Sequence, residues 1–449
     1  MKISQQRRHE IIDALRRGTV PRSSLDALAT GLERFTDSLD RELDSVKAGG
    51  SVFKAVRGDY GCGKTFFARW LAERAKKIGF AASEVQVSET ETPLHRLETV
   101  YRRLMECLAT ADTPQGALRR VLDNWFYVLE QDVLAEGAID ANDSGRLLER
   151  TNELLEQRLA KVTAKAPMFS TALRGYRSAQ AVNDTATADG IAAWLAGQPN
   201  VAAGAKRAAG VKGEIDHFGA LNFLQGLLAV LRDSGHAGLL IVLDEVETIQ
   251  RVRGDVRDKS LNALRQLIDE VDSGRFPGLY LLITGTPAFF DGPQGAQRLE
   301  PLAQRLHVDF QTEARFDNPR AVQIRLPGFD LERLSVVGRK VRNIFHAHAV
   351  APDRIAQLAD DAYISDLAQA VTGKLGGKVG IAPRIFLKKL VADVLDRIDQ
   401  FSDFNPREHY ALTISETELT PVERQAMGAT NIDEIELENT SCRTHPTAC

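Results

Sequence analysis

The chain predicts an α/β protein: a parallel-sheet core, a long helical insert and a C-terminal helical domain. Three observations carry this. The runs "SVFKAV", "GLLIVLD" and "GLYLLITG" are short and almost unbrokenly apolar, as strands buried on both faces must be. A glycine-rich loop separates the first run from a helical pattern over 65–77. Residues of about 93–231, between the second and third strand runs, repeat their apolar positions at helical spacing.

The chain has 449 residues, 43% hydrophobic and 26% charged, with a formal net charge of −4. Such a composition describes a globular protein of two or three domains. It gives no overall pull toward nucleic acid, although a local basic face stays open. Cys62, Cys107, Cys442 and Cys449 make no C-x-x-C and no paired framework, so a reduced, cytoplasmic setting is expected. The basic start "MKISQQRRHEIIDALRR" lacks the apolar stretch of a signal peptide, and no apolar run reaches membrane-spanning length.

In chain order, 4–17 reads as a helix with Ile11, Ile12 and Leu15 on one face. Pro21 ends it, and Ser23 or Ser24 can cap the next helix. Residues 25–47 read as one or two helices. The first strand, the glycine loop and its helix come next, then a short strand around Val85 and Val87. Within the helical block, "ERTNELLEQRLAKV" pairs opposite charges at i,i+4. "AGQPNVAAGAKRAAGVKGEID" reads as a loop or helix connection. The block either packs on the core or binds a partner. After the two later apolar strands, "AVQIRLPGF" reads as a short strand, and the pattern is helical from 330 to about 401. The expected organisation is 1–50 N-terminal helical segment, 51–325 core with the insert, 326–420 helical lid and 421–449 polar, partly disordered tail.

The glycine loop is "GDYGCGKT", which matches G-x-x-x-x-G-K-[ST]. A strand before and a helix after are the context in which that motif cradles phosphates. Gly58, Gly61 and Gly63 are expected to let the backbone adopt φ > 0 and approach phosphate oxygens, where the helix N-terminus favours an anion. Lys64 can reach the β- and γ-phosphates and Thr65 can offer a hydroxyl to Mg²⁺. The nucleotide site is expected to include Gly58, Asp59, Tyr60, Gly61, Cys62, Gly63, Lys64, Thr65 and Phe66.

Asp244 and Glu245 follow a buried strand. Asp244 is placed to hold Mg²⁺, directly or through water, and Glu245 to activate the attacking water. Glu247 is a weaker candidate, read as solvated or salt-bridged. Thr284, ahead of Thr286, is the strand-end side chain expected to sense the γ-phosphate. On the residues alone, Arg305 and Arg384 are surface or packing arginines. His346 and His348 have no acid or cysteine cluster at ligand spacing. Trp70, Trp125 and Trp194 read as core or interface residues, and "RIFLKKLVADVLDR" as a solvated helix face.

The order of phosphate loop, acidic pair, threonine strand, arginine and Pro-Arg helix resembles the AAA+ class of P-loop ATPases (the ASCE division), in its origin-recognition or initiator-like branch. That resemblance implies Arg305 as an arginine finger, Arg384 as a lid sensor, and Val20 and Pro21 as contacts to the adenine base. The phrases "RRGTVPRSSLDALATGLERF", "FKAVRGDYGCGKTFFARWLAERA", "GLLIVLDEVETIQRVR", "GLYLLITGTPAFFDGPQG" and "PLAQRLHVDF" resemble the ATP-binding proteins of bacterial BREX phage-defence systems, BrxD type, over residues 6–420. The resemblance implies ATP and Mg²⁺ as cofactors. It implies other BREX proteins, double-stranded DNA and further copies of the chain as partners, and no membrane. The expected function is an Mg²⁺-dependent ATP hydrolase that couples turnover to assembly or remodelling on DNA or a DNA-bound partner. The alternative is an ATP-dependent oligomeric scaffold or switch with little intrinsic hydrolysis. A small-molecule kinase ranks third, since Glu245 suits water activation and no acceptor pocket is readable.

Overall fold

The computed structural model describes residues 3–137, 140, 143–164, 166–375, 382–419 and 424. The tail expected from 421 lies outside the described residues, apart from residue 424. The chain packs as two units. One comprises Met1–Glu33, Gly58–Phe67 and Leu326–Cys449; the other comprises Arg34–Arg57 and Ala68–Arg325. We call them the loop unit and the sheet unit.

The sheet unit is built on five parallel strands in the order β2-β3-β4-β1-β5. They are β1 (Val52–Arg57), β2 (Ala81–Gln86), β3 (Leu239–Asp244), β4 (Leu279–Gly285) and β5 (Gln323–Arg325). Every residue of β3 and β4 is buried, which is why those runs are unbroken in the sequence. The parallel register aligns the strand ends: Leu243 pairs with Ile283 and Arg57 with Gly285. The residues that follow β1, β3 and β4 therefore leave from one edge of the sheet, where ligands of open α/β sheets bind.

The helical block between β2 and β3 contains helices at Leu97–Glu106, Leu118–Ala135, Ser144–Thr163, Pro167–Ala181, Thr185–Leu195, Ala203–Ala208 and His217–Asp233. The Ala- and Gly-rich connection thus carries a short helix of its own. Trp125, Tyr176 and Phe223 of the block share one apolar core with the sheet. Trp125 donates its indole N–H to Asp233 (2.7 Å), so the large ring is buried without an orphaned donor.

The loop unit has its own core. The first helix, α1 (Gln5–Arg16), is capped by Ser4 and buries Ile11, Ile12 and Leu15. They pack with helices α2 (Leu331–His346), α3 (Asp361–Lys374) and α4 (Ala382–Lys388). Asp330 caps α2 and Asp360 caps α3, each accepting a backbone N–H at 2.7 Å, the usual remedy for unpaired helix-start amides. Phe66, from the phosphate loop's helix, and Phe329 pack against this core. Among the described residues no helix is long and apolar enough to cross a membrane.

Candidate nucleotide site

The phosphate loop leaves β1 at Arg57 and enters a helix at Lys64. Gly61 and Gly63 have φ of 79° and 95°, a conformation side chains resist. Gly58 corrects the expectation made for it: its φ is not among the positive ones. It is needed for a different reason, since a Cβ there would collide with the Cys62 sulfur. Lys64 is buried, and its ammonium donates to the carbonyls of Gly58 (2.9 Å) and Asp59 (3.2 Å) over the Tyr60 ring. The lysine is thus folded into the concave side of its own loop. Thr65 is half-buried in the first turn of the same helix, Asp59 is exposed and Cys62 is buried.

Val20 and Pro21 lie in this same unit, half-buried and buried respectively. Two residues earlier, Gly18 turns the chain with φ 71°. The Arg384 Nη1 lies 3.3 Å from the position its Cβ would take. The structure therefore brings Arg384 beside the turn that leads into Val20 and Pro21. The Nη2 of Arg384 donates to the Glu418 carbonyl at 2.6 Å.

The acidic pair belongs to the sheet unit. Asp244 is the last residue of β3 and is buried. Thr284, fully buried on β4, donates its hydroxyl to Asp244 and accepts the Glu245 N–H at 3.2 Å. One hydroxyl thus fixes both members of the pair. Glu245 has φ 59°, a left-handed conformation unusual for a side chain of this size and frequent at functional sites. The turn continues with Thr248 donating to the Glu245 carbonyl at 2.8 Å. Thr286 is buried one residue past the strand. Glu247 is not solvated, one of the two readings given for it: only 2% of it is exposed, on the turn after Glu245.

The sequence reading missed Gln86. It ends β2 in register with Asp244, and its amide donates to the Glu245 carboxylate at 2.6 Å. The signal was present as a polar residue closing a strand, but its meaning depends on the pairing of β2 with β3. Arg305 is half-exposed, ion-paired with Asp269, and donates to the Pro301 carbonyl at 2.7 Å. Its partners are on its own unit.

A triphosphate suits the glycine loop, whose lysine ammonium already lies on loop carbonyls at the start of a helix. Mg²⁺ asks for one or two carboxylates, with phosphates and water completing its shell. The Thr65 hydroxyl and the Asp244 carboxylate are donors of that kind. Among the described residues no cluster of three or more His, Cys, Asp or Glu could hold a metal without such help.

A strand-to-helix glycine loop with a buried lysine, on a parallel sheet that places β4 between β1 and the acidic β3, defines a P-loop α/β protein. The chain belongs to the BREX system ATP-binding protein BrxC/D family, whose model matches residues 3–414. No curated protein matches it. Among solved structures it is similar to the ORC2 protein of Aeropyrum pernix, described as ADPNP–ADP complexes. The identity is 12% and the TM-score 0.33, over 80% of this chain and 67% of that one.

Proposed function

We propose that the protein is a Mg²⁺-dependent ATP hydrolase of a BREX phage-defence system, of AAA+ type, acting in the cytoplasm with other BREX proteins. The observation that carries this is the phosphate loop, with its lysine buried over loop carbonyls that a phosphate can displace. Family membership supports ATP as the nucleotide.

In this reading Lys64 exchanges the Gly58 and Asp59 carbonyls for β- and γ-phosphate oxygens, and the amides of the loop complete the cradle. Thr65 and Asp244 would hold Mg²⁺, which would supply positive charge against the negative charge that develops on the phosphates. Glu245 orients and deprotonates the attacking water. Thr284 keeps Asp244 and the Glu245 backbone in one arrangement, so the carboxylates need no reorganisation during reaction. Val20 and Pro21 would contact the base, and Arg384 would contact the triphosphate. Arg305 would act on ATP held by a second copy of the chain. It must give up Asp269 to do so, so its contribution appears only on assembly.

Double-stranded DNA, or a partner bound to it, is the proposed target of the coupled change. The test is steady-state ATP hydrolysis by the full chain, with and without duplex DNA, beside Glu245→Gln. Turnover that DNA raises and that the variant loses while still binding ATP supports the reading. The Gln86 amide on Glu245 favours a second reading, a switch that binds ATP and assembles with little intrinsic turnover. Binding and assembly without hydrolysis above the variant, with or without DNA, would select it.

A further inference from the structure

The described chain ends in a short segment that reaches Arg384, just past residue 414, where the family match stops. Tyr410, Leu412 and Ile414 lie half-buried against the core of the loop unit, and Leu419 is buried in it. Between these apolar anchors, Glu418 presents two faces. Its carboxylate accepts from Lys389 at 2.9 and 3.0 Å, from Lys388 at 3.2 Å and from the Ser415 N–H at 3.2 Å. Its carbonyl accepts from Arg384 at 2.6 Å. The sequence assigned Lys389 to a solvated face, yet it is only 5% exposed and also pairs with Asp393 at 3.2 Å. The two carboxylates offset the cost of burying its charge.

We propose that Glu418 is a positioning residue for Arg384. Its carboxylate is locked to Lys388 and Lys389, and this lock sets its own carbonyl where it aims the Arg384 guanidinium toward the triphosphate. The inference rests on the reading of Arg384 as a triphosphate contact. The geometry supports it in two ways. The guanidinium is held by the Glu418 carbonyl and lies beside the Gly18 turn, where an added Cβ would stand 3.3 Å from Nη1. The lock and the held group are also adjacent on one helix: Arg384 and Lys388 are at i,i+4, and Lys388 Cδ is 3.5 Å from the same Gly18 position. A guanidinium fixed in this way loses less rotamer freedom when it meets phosphate.

The test is equilibrium binding of fluorescent ATP and ADP analogues to the full chain. Wild type is compared with Arg384→Ala, Glu418→Ala, Glu418→Gln and the Arg384→Ala/Glu418→Ala double variant. Arg384→Ala is expected to cut the preference for ATP over ADP by roughly tenfold, as loss of a charge-assisted contact does. Glu418→Ala is expected to cut it several-fold, with ADP affinity unchanged and no further loss in the double variant. Glu418→Gln, which still accepts from lysine, is expected to restore part of the loss and serves where Glu418→Ala fails to fold. Additive losses, or a wild-type preference in both Glu418 variants, would overturn the lock while leaving Arg384 its role. A wild-type preference in Arg384→Ala would overturn that role and the lock with it, while loss of binding in Lys64→Ala would still mark the nucleotide site.

Discussion

The loop unit and the sheet unit divide the proposed chemistry between them. The phosphate loop, Val20, Pro21 and Arg384 all belong to the loop unit, whereas Asp244, Glu245, Thr284 and Arg305 all belong to the sheet unit. The first set would hold the nucleotide and the second would break it. The two sets are also built differently. The loop unit presents backbone, two left-handed glycines and the cations Lys64 and Arg384. The sheet unit presents short side chains locked to one another at the ends of buried strands. In the proposed reading, binding and turnover rest on separate cores and can be broken separately.

Two substitutions break the comparison hardest. Lys64→Ala removes the loop's cation and is expected to abolish ATP binding, and turnover with it, in an equilibrium titration. Glu245→Gln is nearly isosteric and leaves the loop unit untouched. ATP affinity is expected to stay within about twofold while turnover falls on the order of 10²- to 10⁴-fold, the usual worth of a general base. Loss of affinity in Glu245→Gln would mean that the division by unit is wrong.

Thr284→Val tests the lock within the sheet unit. It keeps the shape of the side chain but leaves the Asp244 carboxylate and the Glu245 N–H without their shared hydroxyl. Stability is expected to fall by about 1–3 kcal/mol, the cost of removing a hydroxyl that two buried polar groups share. Turnover is expected to fall by about one to two orders of magnitude, as when preorganised donors are lost. Gln86→Ala sharpens the comparison in the other direction. It frees the Glu245 carboxylate from the amide donor that occupies it, leaving it open to the attacking water. A rise in basal turnover of roughly threefold, at unchanged ATP affinity, is expected from stopped-flow and steady-state assays.

How far each half could be read from sequence follows the same division. The strands β1, β3 and β4 were legible because both faces are buried, which forces unbroken apolar runs. The phosphate loop was legible because its chemistry is local: glycines, lysine and threonine act within a few residues of one another. What depends on pairing between distant segments was not legible. Gln86 reaches Glu245 only through the β2–β3 register. Lys389 is buried only because Glu418 returns to it, and Arg305 meets Asp269 across two helices. The constraint on Gly58 is likewise a contact, with the Cys62 sulfur, rather than a positive φ. The fold class was thus readable, as were the residues on contiguous motifs, whereas the partners that hold those residues in place were not.

The smallest expected effect concerns acid. Burial alone would raise the Glu418 carboxyl, but bonds from Lys389, the Ser415 N–H and Lys388 hold it at about 2, below its ordinary 4.5. A carboxyl depressed in the folded state stabilises it fully above the ordinary value, and that stability is lost as pH falls from about 4.5 toward 2. In the sheet unit Asp272 behaves oppositely. Burial, then Asp269, raise its carboxyl above 3.8, with Arg305 opposing. Its ionisation costs stability, and that cost is relieved as the pH falls. Acid should therefore weaken the loop unit first. The three tryptophans, Trp70, Trp125 and Trp194, all lie in the sheet unit, so their fluorescence reports on that unit alone, while far-ultraviolet circular dichroism reports on both. On titration downward from pH 5, ellipticity is expected to fall before tryptophan emission shifts. Glu418→Gln, which lacks the stabilising charge at every pH, is expected to move the loop unit's transition to higher pH and widen the gap between the two curves by about half a pH unit. Coincident curves in the wild type would show that the two units unfold as one, and the separation of binding from turnover would then have to rest on side chains alone.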